Sequence, residues 1–276
     1  MMETHKQTDR MLANLELQLK KMYSRSFSNA KKDLQEVMLK VEFDSDMTPI
    51  ERYNASQKYE RLKKLEDNIA KEINEVNKQA VRIVNQSMND IYKLNYNNAW
   101  KEMAVILAIS MPKAQPKASA VSKDISTQQS PFDQLAMDGM KDLDDLKRTV
   151  TRQIVSGIMS GENTAKLVKR IQKITEMKLS DITRIARTQT TRIENFGRLK
   201  AYESMEKQGY KIYKKWVAVG DNRTRPAHKK VDGTEVPLDD FFIVDGEKMM
   251  YPGDQNASPK NTINCRCTIK SVAKKV

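Results

Sequence analysis

ERLKKLEDNIAKEINEVNKQAVRIVNQSMNDIYKL, residues 60–94, is the stretch that decides the fold. Along it Leu62, Leu65, Ile69, Ile73, Val76, Ala80, Ile83, Ser87, Ile91 and Leu94 follow one another in steps of three and four. Side chains at that spacing stand on one face of an α-helix, so the stretch predicts one long amphipathic helix with charged flanks. A single narrow seam on so long a helix fits a coiled-coil or helical-hairpin arm better than the centre of a globule. Tyr53, Tyr59, Tyr92, Tyr96 and Trp100 recur at helical spacing as well, and read as packing residues before stacking platforms for bases.

Towards the N-terminus, Leu12, Leu15, Leu19 and Met22, then Leu34, Val37 and Met38, predict a second amphipathic helix over 12–39. Asp46-Met47-Thr48-Pro49 is a stop and a restart, with Thr48 as N-cap, Pro49 at the first helical position and Glu51 in the first turn. Residues 1–111 therefore read as an extended helical N-terminal arm. The stretch 112–131 has no periodicity and is rich in Pro, Ser, Gln and Lys, the composition of a flexible linker.

Residues 132–276 read as one domain. Helices are expected over 132–159, 163–177 and 180–208, with Gly161 and Gly209 as stops and Asn163 and Ser180 as caps. After Gly209 the period shifts towards two at Tyr210, Ile212, Trp216, Val217 and Val219. Turn signals follow at Gly220-Asp221-Asn222, Asp232-Gly233 and Asp245-Gly246, and Ile243-Val244 and Thr268-Ile269 are further strand candidates. The expected fold class is mainly α with a small β-rich C-terminal lobe over 210–270, an α+β arrangement behind the helical arm.

The 276 residues are 31% charged and 6% aromatic, which suits helices with one apolar stripe and a broad wet face. A formal net charge of +13 points to a polyanionic partner, since Lys and Arg release counterions from nucleic acid. Such binding runs through phosphates and reads no bases. The apolar run 103–111 is far shorter than the ~20 residues a bilayer span needs, and the N-terminus carries no apolar signal segment, so no membrane partner and no signal-directed export are expected. Walker, G-x-G-x-x-G, H-E-x-x-H and G-x-S-x-G patterns are missing from the sequence, which removes the usual supports for nucleotide hydrolysis, dehydrogenase, zincin and α/β-hydrolase chemistry.

Rare residue types gather between Trp216 and Cys267. This segment holds one of two histidines, one of two tryptophans and both cysteines. Two cysteines one residue apart would form a severely strained disulfide ring, so free or metal-bound thiolates in a reducing compartment fit better. Three readings follow. His228, Cys265 and Cys267 are a ligand set for an ion such as zinc, with Asp221, Asp232 or water as the fourth ligand, although structural sites favour paired C-x2-C spacings. Alternatively His228 is a general acid or base with Arg223 or Arg225 holding a phosphate, the minimum kit of a small nuclease. In the third reading Asp221, Asn222 and Asn264 cap turns, the arginines pair with acids and the cysteines pack as small apolar groups. The third is favoured because it requires no cofactor and because a turn-rich lobe needs local polar ties.

The order of residues then resembles a known family: Ile185-Ala186-Arg187-Thr188, Asn195 with Gly197, Trp216, Asp221-x-Arg223-Thr224-Arg225-x-x-His228, Asp232-Gly233, Pro252 and Asn264-Cys265-Arg266-Cys267. It is similar to the Mu F-like phage head morphogenesis family, over about the last hundred residues. Gln189 departs from the family pattern, which carries Glu after Arg-Thr. The resemblance implies a non-enzymatic minor head protein of tailed bacteriophages, with the portal protein, the capsid shell and packaged double-stranded DNA as partners. It also implies a place in the virion and procapsid interior, reached from the host cytoplasm during assembly. Some relatives are ADP-ribosyltransferases that need an S-T-S strand and an E-x-E loop, and this chain has neither pattern. The structural signature is Trp216, Asp221, Arg223, Arg225, His228, Asp232, Gly233, Asn264, Cys265, Arg266 and Cys267, and of these Asp221, Arg223, Arg225, His228, Asn264, Cys265 and Cys267 are expected to converge in space, as ligands or as a hydrogen-bonded staple.

Overall fold

A computed structural model describes residues 3–39, 46–58, 60–107, 118–128 and 131–273. Helices dominate: α1 (Glu3–Met38), α2 (Pro49–Lys58), α3 (Glu60–Leu107), α4 (Ala118–Ser126), α5 (Pro131–Lys141), α6 (Leu143–Met159) and α7 (Thr164–Glu206). The C-terminal part then alternates β1 (Ile212–Val217), α8 (Pro226–Val231), β2 (Glu235–Pro237), β3 (Phe242–Val244), β4 (Glu247–Met249), α9 (Pro259–Thr262) and β5 (Thr268–Ala273). The chain is therefore mainly α with a small β lobe. Among the described residues no helix is long and apolar enough to cross a membrane.

Local chemistry explains several boundaries. Thr48 and Glu51 form a reciprocal cap at the start of α2: the Thr48 N–H donates to Glu51 Oε2 at 2.7 Å and the Glu51 N–H to Thr48 Oγ1 at 3.3 Å. The helix expected over 132–159 is two helices, because the Asp142 side chain accepts from the Asp145 N–H at 2.9 Å and starts α6 afresh. The helices expected over 163–177 and 180–208 are instead one, α7. Neither Gly nor Pro stands between Met177 and Ser180, and an exposed Ser inside a helix costs little. Within the stretch read as a linker, residues 118–126 are helical, while 112–117 and 129–130 lie outside the described residues.

The residues cluster into two compact units that do not follow divisions at 111 and 131: one from 1–16, 83–135 and 184–276, the other from 17–82 and 136–183. In the second unit, Ala30 and Leu34 of α1, Leu62 to Ile73 of α3, Leu146 to Ile158 of α6 and Leu167 to Ile174 of α7 share one core. The buried face of α3 is wider than the predicted seam, because Ala70, Asn74, Asn77 and Val81 are buried beside it. Asn77 is satisfied there by the Tyr23 hydroxyl at 2.6 Å and the Met140 carbonyl at 2.8 Å.

The first unit carries the β lobe. β1 lies between β2 and β5 in an antiparallel sheet, and β3 pairs with β4 through Asp245-Gly246, both at positive φ as a tight two-residue hairpin requires. Ile212, Lys214 and Trp216 point to the buried side of β1. Trp216 meets Phe242 edge-on with centroids 5.2 Å apart. On the helical side Phe196 of α7 packs against Tyr92 of α3 and against Tyr251, each at 6.0 Å. At Gly197 an added Cβ would fall 2.9 Å from the Tyr92 carbonyl oxygen, so α3 and α7 approach too closely there for any side chain.

Candidate functional site

Two loops of the lobe meet on α7. The first, after β1, carries Asp221, whose carboxylate accepts from Arg266 Nη1 at 2.8 Å and Nη2 at 2.7 Å, a fork that locks the first loop to the second. Asp221 also accepts from the Arg223 N–H at 3.0 Å and the Thr224 hydroxyl at 3.1 Å. The Arg266 guanidinium, helped by these donors, holds the Asp221 carboxyl far below the usual carboxylate range. Arg225 Nη2 donates to the Ile263 carbonyl at 2.6 Å, a second strap across the same gap. Behind it the Ala218 N–H donates to Asp232 Oδ1 at 2.8 Å, and the Gly233 N–H, from a residue at φ +78°, donates to the Trp216 carbonyl at 2.9 Å.

Pro226 opens α8, and that short helix turns His228 inward until it is 1% exposed. Nδ1 of His228 lies 3.4 Å from Cys267 Sγ and 3.6 Å from Cys265 Sγ. The three ligand-type atoms all lie within 4.8 Å of one another. Trp216 closes one side, its ring edge-on to the imidazole at 5.6 Å. The Cys267 N–H donates to Cys265 Sγ at 3.5 Å. Hydrogen bonds from Cys267 and His228 favour a first thiolate at Cys265 despite its burial, and the hydrogen bond to that sulfur, with burial and its charge, pushes the Cys267 thiol up.

Helix α7 holds the second loop in place. Thr188 Oγ1 accepts from the Asn264 N–H at 3.2 Å, and Asn264 sits at φ +53°, a left-handed conformation that Asn tolerates better than most side chains. The Thr191 hydroxyl donates to the Cys265 carbonyl. One turn on, Asn195 Nδ2 donates to the Cys267 carbonyl at 3.1 Å and to the Pro252 carbonyl at 3.2 Å, while its Oδ1 accepts from the Ile269 N–H at 2.8 Å. Gly253 lies against α7, where an added Cβ would stand 3.1 Å from the Arg192 nitrogen. Both backbone carbonyls of the cysteine pair are thus fixed by side chains one helical turn apart.

A cavity of about 530 Å³ opens beside this junction, walled by Arg187, Arg223, Arg225, Cys265 and Arg266 and by a buried pair, His5 and Glu194. His5 Nδ1 lies 2.8 Å from Glu194 Oε1, which also accepts from the Thr268 hydroxyl at 3.0 Å. Arg187 is already forked onto Glu16 at 2.6 and 3.0 Å.

The structure places Trp216, Asp221, Arg225, His228, Asp232, Gly233, Asn264, Cys265, Arg266 and Cys267 in one connected network. Arg223 departs from it: its side chain is 75% exposed and reaches Asp221 only at 3.7 Å. The geometry does not suit the nuclease reading, because an imidazole with 1% exposure between two thiols cannot meet a polymer backbone. Of the expected polar ties, Asp221 caps its turn and pairs with Arg266, whereas Arg225 reaches a backbone carbonyl in place of an acid; His228, Cys265 and Cys267 lie together beside them. Sequence reasoning passed over Thr191 and Lys214, although a Thr three residues after Thr188 on a helix was a signal that both face one loop.

Residues 148–270 match the family described as phage Mu protein F like protein. Over 97% of the chain and 85% of the relative's length, the sequence is 24% identical to minor head protein GP7 of Bacillus phage SPP1. It is 34% identical over 125 residues, 45% of the chain, to NAD(+)--arginine ADP-ribosyltransferase EFV of Enterococcus faecalis, and that match spans only 26% of the enzyme's length. It is also 25% identical over 141 residues to the protein YqbB of Bacillus subtilis, covering 49% of the chain and 46% of that protein. No solved structure matches the chain significantly.

Proposed function

We propose that the chain, whose residues 148–270 match the phage Mu protein F like family, is a minor head protein acting in phage head morphogenesis by binding, not by turnover. The observation that carries this reading is the match to a minor head protein along nearly the whole of both chains. The tied loops of the β lobe support a rigid docking element, since their polar groups are spent on one another and on α7. On this reading the lobe meets the portal or the inner shell of the procapsid. The net charge of +13 serves double-stranded DNA through its phosphates.

Co-expression with the portal protein of the same phage tests the first contact: a complex that survives size-exclusion chromatography is expected, and two separate peaks would overturn it. Titration of duplex DNA tests the second. Six or more neutralised phosphates would weaken binding about a thousandfold between roughly 50 and 200 mM salt, whereas an affinity insensitive to salt would remove DNA as a partner.

A second reading has its own observation, the 34% identity to an ADP-ribosyltransferase. The chain holds no E-x-E or S-T-S pattern, so nicotinamide release from NAD is expected to stay at background. Turnover above background would replace binding with catalysis.

A further inference from the structure

We infer that His228, Cys265 and Cys267 bind a zinc-type divalent ion at the junction of the β lobe with α7. Unlike a redox-active or purely packing cysteine pair, these thiols converge with an imidazole nitrogen on a single point. A tetrahedral ion about 2.3 Å from sulfur and 2.0–2.1 Å from nitrogen sets its N and S ligands about 3.6 Å apart. The observed Nδ1 to Sγ separations are 3.4 and 3.6 Å. Two thiolates and one imidazole are also the donor set that prefers zinc over the hard cations, which seek oxygen.

The surroundings suit such a site. All three ligand residues are at most 3% exposed, so the ligand atoms stand away from bulk solvent. The Cys267 N–H points at Cys265 Sγ, the contact expected of a sulfur that acts as an acceptor in its thiolate form. Thr191 and Asn195 fix the two cysteine carbonyls, so the ligand loop is pre-formed rather than assembled on binding. Neighbouring carboxylates are committed elsewhere, Asp221 to Arg266 and Asp232 to the Ala218 N–H. Three protein ligands therefore leave the fourth position to a water molecule, and Cys265 stands in the wall of the 530 Å³ cavity from which it would come.

The site is independent of any head-assembly role and requires no turnover. The test uses the full-length chain, purified without chelator under reducing conditions and measured by elemental analysis and by cobalt(II) titration. The inference predicts about one zinc per chain, a thiolate-to-cobalt charge-transfer band that zinc abolishes, and a melting temperature that falls with a chelator and recovers with zinc. Thr191→Val leaves all three ligands and removes one brace of the loop, so it weakens metal affinity about ten- to a hundredfold. Protein free of metal, with no cobalt band and a melting temperature indifferent to chelator and zinc, would overturn the inference. A cobalt band that persists in Cys265→Ser and in Cys267→Ser would overturn it too.

Discussion

Asn195 concentrates the fold of the C-terminal unit in one side chain. It is completely buried and bridges α7 to Pro252, Cys267 and Ile269. Removing it leaves two carbonyls and one N–H unpaired in the interior, so Asn195→Ala is expected to cost about 3 kcal/mol in urea unfolding. A loss below about 0.5 kcal/mol, the size of an ordinary surface change, would show that the bridge carries nothing. Lys214 works the other way. It is wholly buried on β1 with its ammonium over Phe242 at 5.6 Å, and burial pulls its pKa down to about 8. Below pH 8 both folded and unfolded chains hold the proton and the burial cost is complete. Between pH 8 and the unfolded value near 10.5 only the unfolded chain still binds it, so stability rises with pH in that window. Lys214→Met should raise stability at pH 7 and remove that rise; an unchanged pH profile would contradict it. Asn195 was legible as part of a residue order, whereas Lys214 was hidden because it stands next to Lys215 and a double lysine reads as solvent-facing. The register of Ile212 and Trp216 on the same face held the missing clue.

At the scale of elements, α7 is the spine that joins helices to lobe. Gly197 lets it touch α3, and Gly197→Ala is expected to destabilise by about 1–3 kcal/mol because the new methyl meets backbone rather than a movable side chain. Thermal unfolding at unchanged melting temperature would show that the two helices can separate freely there. The β3–β4 hairpin is tied to α9 by Glu247, which accepts from the Ser258 hydroxyl at 2.6 Å and the Ser258 N–H at 2.9 Å. Those bonds hold its carboxyl down at about 2. A depressed carboxylate stabilises above its unfolded pKa and stops doing so as pH falls through the folded value, so the Glu247 contribution disappears between about pH 4.5 and pH 2. Glu247→Gln should flatten acid unfolding in that interval, and a curve parallel to the parent would refute the tie. Caps and hairpin turns were readable because their chemistry is local, as Thr48-Pro49 and Asp245-Gly246 illustrate. Short α8 was not. It has too few residues for a period, and its six-residue span is defined by the packing of His228 and Val231.

For the whole molecule, the division into contiguous arm, linker and domain is what periodicity alone can offer, because a helical stripe reveals that a face is covered without revealing by what. The units found are woven from distant segments, with α1, α3 and α7 contributing residues to both. The clamp of the C-terminal lobe was legible because rare residues cluster in sequence, while its anchor on α7 lay about seventy residues away. Head assembly is the scale at which the central claim is decided. The most direct measurement is to co-express the full chain with the portal and major capsid proteins of its phage, purify procapsids by density gradient and quantify the chain in them. The account predicts a few copies per particle, present only when the portal is supplied; particles that form normally and contain none of it would contradict the claim.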